Sequence, residues 1–95
     1  MKKLIENEIE ANLENLPGWS YSENGLFKEF EFENFINLFA FMTKVALISE
    51  KLNHHPEWCG GYRKMKITLF TNDVNGITNL DLDLAKWIEK INIAK

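Results

Sequence analysis

The chain carries two histidines, and they are neighbours: His54 and His55. An unperturbed imidazole gains or loses its proton at about pH 6.5, so this pair is the part of the sequence best suited to general acid–base chemistry near neutrality. Glu50 stands four residues before His54. As metal ligands the two histidines are poor candidates. Neighbours on an extended chain point to opposite sides, and neither has a usual ligand spacing from Cys59, so no metal is assigned. Cys59 itself, the lone cysteine, reads as a small buried or half-buried side chain with no reaction to perform.

Each candidate also has an ordinary structural reading. Histidines just beyond a helix C-terminus are favoured by the helix dipole. Glu50 can be a solvated residue, although a carboxylate in the last turn of a helix opposes the dipole and calls for a partner, which a nearby His would be. Trp58 and Tyr62 serve equally well as packing or interface anchors or as a wall for a flat ligand. Asp81, three residues after Thr78, completes a capping box at a helix start.

The elements that must position these groups follow from periodicity. Ile5, Ile9, Leu13 and Leu16 fall on one stripe, predicting an amphipathic helix from Lys2 to Leu16 that stops at Pro17-Gly18. Trp19 to Ser22, the turn dipeptide Asn24-Gly25 and the run Leu26 to Phe32 predict a hairpin, with Phe30 and Phe32 inward and Glu29 and Glu31 in water. Asn34 can cap a central helix carrying the row Phe35, Phe39, Met42, Ala46 and Ser49, widened by Leu38, Val45 and Leu52. That helix must end near Asn53, because Pro56 cannot continue it and biases His55 towards an extended conformation. The His pair therefore sits at a helix-to-strand corner.

A second extended stretch is predicted from about Trp58, interrupted at Gly60-Gly61 and resuming from Tyr62 to Thr71, with Met65, Ile67 and Leu69 inward. Thr78-Asn79-Leu80-Asp81 opens a closing helix whose stripe is Leu84, Ile88 and Ile91. The expected architecture is α+β: a two-layer sandwich in which helices cover one face of a four-stranded antiparallel sheet.

With 95 residues, of which 45% are hydrophobic and 26% charged, one domain spanning 1–95 is expected. A chain this short buries only about 60–65% of its unfolded surface, so self-association would help to stabilise it. The net charge of −3 with scattered lysines argues against a nucleic-acid surface. No apolar run is long enough to span a bilayer and no secretory signal is visible, which makes the cytoplasm the expected compartment.

The run Glu50-Lys51-Leu52-Asn53-His54-His55-Pro56-Glu57-Trp58, then Tyr62, Lys66 to Leu69, Thr71-Asn72-Asp73, Gly76-Ile77-Thr78 and Asp81, closely resembles the signature of pterin-4a-carbinolamine dehydratases. The resemblance implies a cofactor-independent hydro-lyase whose pterin is substrate: it dehydrates 4a-hydroxytetrahydropterin to the quinonoid dihydropterin and serves the pterin cycle of an aromatic amino acid hydroxylase. It assigns His54 and His55 to acid–base work, Glu50 to orienting one of them, and Asn72, Asp81, Trp58 and Pro56 to the substrate pocket. It also implies a homodimer or homotetramer. One position departs from the pattern, since Asn72 stands where the family has a third His. Asparagine can hold a ligand by hydrogen bonds but does not titrate near neutrality. That departure keeps a second expectation open, a non-catalytic pterin-binding or protein-dimerising family member.

Overall fold

The computed structural model describes residues 1–93. In chain order its elements are α1 (Glu6–Leu13), β1 (Ser20–Ser22), β2 (Gly25–Glu31), α2 (Phe35–Leu52), β3 (Glu57–Gly61), β4 (Lys64–Leu69) and α3 (Asn79–Ile93), with a 3₁₀ turn at Asn72–Val74. The four strands form one antiparallel sheet in the order β1-β2-β4-β3. The expected α+β architecture is the one observed.

Register explains the two layers. Leu26 pairs with Leu69 and Phe30 with Met65, and these side chains, with Ile67, are buried on one face. The alternate positions Glu29, Glu31, Lys64 and Lys66 are exposed on the other. The buried face packs against Leu38, Phe41, Met42 and Val45 of α2 and Leu84, Ala85 and Ile88 of α3, so one core lies between sheet and helices. Phe41 stacks between Phe30 and Phe32, with ring centroids 5.1 and 5.0 Å away. Lys28, on the core side of β2, is neutralised by Glu89 at 2.7 Å, which also accepts from the Trp19 indole at 2.9 Å.

Several local expectations change. The first helix begins at Glu6 rather than Lys2, and Ile5 is its exposed N-terminal neighbour. The cause is a competing bond: the Leu4 N–H donates to the Ile77 carbonyl, which holds the leading residues extended. Glu8 then supplies the missing cap by accepting from the Ile5 N–H. That bond, and after it Lys2, holds the Glu8 carboxyl below its ordinary pKa.

In α2 the row containing Phe35 and Phe39 is not wholly inward. Both are exposed, and the buried stripe runs through Leu38, Phe41, Met42, Val45 and Ser49. Gly60 and Gly61 lie inside β3, and the chain reverses one step later at Tyr62-Arg63. Tyr62 takes the left-handed conformation there (φ 56°), and its side chain is exposed. Cys59 is exposed on the edge strand instead of buried. Gly25, expected in the turn, already opens β2, and a Cβ on it would stand 2.3 Å from the Leu69 carbonyl oxygen, so only glycine allows β2 and β4 to approach here.

Candidate active site

The site forms where α2 ends. Asn53 adopts the left-handed conformation (φ 53°, ψ 43°), and its N–H returns to the Glu50 carbonyl while the His54 N–H reaches back to Ser49 at 3.0 Å. These two bonds make a Schellman-type stop, in which a residue tolerant of positive φ reverses the chain. Asparagine is such a residue; a β-branched one is not. The reversal turns His54 inward towards the start of α3, and Pro56 then commits the chain to β3.

His54 meets Asp81 there. Its Nε2 lies 2.5 Å from Asp81 Oδ1, and the other carboxylate oxygen accepts from the Thr71 hydroxyl at 2.7 Å and the Thr78 N–H at 3.0 Å. Thr71 and Thr78 also share a hydroxyl–hydroxyl bond of 2.9 Å. Asp81 has 0% exposure, and the His54 side chain retains 11%. A buried carboxylate needs this much company, because an unpaired one would carry the full cost of leaving water. The capping box expected at Thr78 is present, and the same carboxylate anchors a histidine.

His55 is paired in the same manner but outside. Its Nε2 lies 2.5 Å from Glu50 Oε2, with both side chains more than half exposed. Glu50 in the last turn of α2 thus has the partner its position called for.

A hollow of about 480 Å³ opens beside these groups, lined by His54, His55, Asn72, Asn53, Leu52 and Phe70 among others. Its volume suits a small bicyclic ligand. Of the residues singled out from the sequence, His54, His55 and Asn72 line it, and Glu50 joins it through His55. Asp81 lies behind His54 with no exposed surface, so it acts on the hollow through that ring and does not itself meet a ligand. Pro56 is absent from the lining, and Trp58 borders a separate hollow of about 150 Å³ with Phe27, Cys59 and Lys66. Within one subunit neither reaches the His pair's pocket.

Sequence reasoning passed over Thr71 as a site residue, although a signal existed. The alternation Met65, Ile67, Leu69 carries Thr71 onto the buried face, where a hydroxyl must find a partner.

The family model for pterin 4 alpha carbinolamine dehydratase matches residues 2–91. The chain belongs to the pterin-4a-carbinolamine dehydratase family. A protein of Prochlorococcus marinus (strain NATL2A) named "Putative pterin-4-alpha-carbinolamine dehydratase" is 49% identical over 92 residues, covering 96% of this chain and 97% of the relative. One of the same name from Rhizobium johnstonii is 47% identical over 92 residues, covering 95% and 91%. Among solved structures, a transcriptional coactivator/pterin dehydratase from Brucella melitensis superposes with a TM-score of 0.91 at 37% identity, over 95% of this chain and 98% of that one. A pterin dehydratase-like RuBisCO assembly factor of the alpha-carboxysome has the same fold at 23% identity and a TM-score of 0.64, over 77% and 84%. The same fold thus also occurs in a protein named for an assembly role.

Proposed function

We propose that this chain dehydrates 4a-hydroxytetrahydropterin to the quinonoid dihydropterin, with His54 and His55 moving the protons. The observation that carries the reading is His54 itself: one ring nitrogen is fixed to a sealed carboxylate, while the ring lines a hollow of about 480 Å³. Loss of water requires a proton delivered to the departing 4a-hydroxyl and one withdrawn from a ring nitrogen. Two imidazoles on one rim can divide that work. Asp81 holds His54 in orientation, as a buried carboxylate does for a catalytic imidazole elsewhere. Glu50 steadies His55 in water, and Asn72 offers amide hydrogen bonds to the ligand. The reaction uses no cofactor, and its product re-enters the pterin cycle of an aromatic amino acid hydroxylase. No helix among the described residues is long and apolar enough to cross a membrane, and we place the protein in the cytoplasm.

Self-association is part of the same proposal. Every residue of the edge strand β3 is exposed, so its outer backbone groups are available to a second copy across a two-fold axis. The outer face of α2 shows Ile36 and Leu47 in addition to Phe35 and Phe39, an apolar surface that a dimer of dimers would cover.

The test is stopped-flow decay of 4a-hydroxytetrahydropterin generated in situ. The chain should accelerate it, and Asn72→His should accelerate it further by restoring a third proton carrier. Pterin binding without acceleration by either protein would instead leave the non-catalytic binding module, which the amide at Asn72 keeps as the competing reading.

A further inference from the structure

From the hydrogen bonds behind His54 we infer that Thr71 and Thr78 are positioning residues that select Nδ1 as the working nitrogen of His54. The inference rests on the dehydratase reading for its catalytic meaning, but not for its geometry. Asp81 uses Oδ1 for His54 and gives Oδ2 to two donors, the Thr71 hydroxyl at 2.7 Å and the Thr78 N–H at 3.0 Å. With Oδ2 held from two directions, the carboxylate plane cannot rotate freely, and Oδ1 stays aimed at Nε2. An ionised carboxylate only accepts, so whenever Asp81 is ionised and His54 neutral the proton lies on Nε2 and Nδ1 is bare.

Nδ1 is also the nitrogen that can be reached. It has no hydrogen-bond partner among the described residues, yet it is not one of the buried side-chain polar atoms left without a partner, so it retains access to solvent. The ring lines the hollow, and its free lone pair is the basic site offered to a proton on the ligand. Thr71 is fixed from the far side as well, because its N–H donates to the Gly76 carbonyl at 2.8 Å and its hydroxyl meets that of Thr78. The strand end, the 3₁₀ turn and the cap of α3 therefore converge on one imidazole. His55 differs in this respect: its carboxylate partner is exposed, and among the described residues no second donor to Glu50 accompanies the pair.

The experiment records ¹⁵N NMR of the imidazoles in the unmodified chain, in Thr71→Val and in Thr71→Ser, alongside kcat and KM for dehydration. Neutral His54 in the unmodified chain should show the Nε2–H form. Thr71→Val should move it towards the mixed tautomers of a free side chain and lower kcat by about 10-fold with KM little changed, while Thr71→Ser, which keeps the hydroxyl, should retain the parent spectrum and rate. An Nδ1–H tautomer in the unmodified chain overturns the inference outright, even if Thr71→Val does not fold. It is equally overturned if folded Thr71→Val keeps the parent tautomer, whatever its activity. Should the tautomer behave as expected in a chain that never accelerates dehydration, the positioning role stands and the dehydratase reading falls.

Discussion

At the scale of single residues, the two histidines differ although they are neighbours and both use Nε2 to meet a carboxylate. His54 is backed by a carboxylate with no contact with water, and His55 by one almost wholly in water. Exposed pairs of the second kind contribute little, about 0–1 kcal/mol, whereas breaking a buried pair leaves a charge stranded. We therefore predict that Asp81→Asn lowers kcat for dehydration by about 10²- to 10⁴-fold, with a much smaller change for Glu50→Gln, measured by stopped-flow on both variants. The sequence made the His pair visible because the chain has two histidines, side by side, and histidine is the side-chain type suited to proton transfer near neutrality. It could not show that Asp81 would be sealed, since a capping-box acid is ordinarily solvated and nothing in its spacing reveals a histidine 27 residues earlier. The resemblance assigns Trp58 to the substrate pocket, whereas within one subunit it borders the separate hollow beside Phe27 and Cys59.

At the scale of elements, the site is the meeting of three ends: the C-terminus of α2, the turn after β4 and the N-terminus of α3. Two of those ends were legible, because Pro56 cannot continue α2 past about Asn53 and Thr78 three residues before an acid is a helix start signal. Less legible was the inward face of α2. Phe35 and Phe39 match the helical period as well as the buried stripe does, and only the position of the sheet decides between them. The start of α1 was misread for a similar reason, since the bond from Leu4 to Ile77 is a tertiary contact. The left-handed conformation of Asn53 gives a prediction at this scale. Asn53→Gly should leave stability within a few tenths of a kcal/mol, while Asn53→Val should cost about 1–2 kcal/mol in urea denaturation, and should also disturb His54 because the next residue carries it.

At the scale of the whole molecule, the 95-residue chain leaves an edge strand open and apolar side chains on the outer face of α2, and the proposed self-association rests on these two surfaces. We predict that sedimentation at micromolar concentration gives a multiple of 11.1 kDa, and that Ile36→Lys combined with Leu47→Lys reduces the assembly without loss of helical circular dichroism. A single 11.1 kDa species would remove the self-association proposal but leave the site intact. The central claim is narrower: the ring of His54, held from behind and open in front, moves a proton during dehydration. Its most direct test compares the decay of 4a-hydroxytetrahydropterin with the unmodified chain and with His54→Gln at equal concentration. The account predicts clear acceleration by the former and a rate at least about 10²-fold lower with the latter; equal acceleration by both proteins would contradict it.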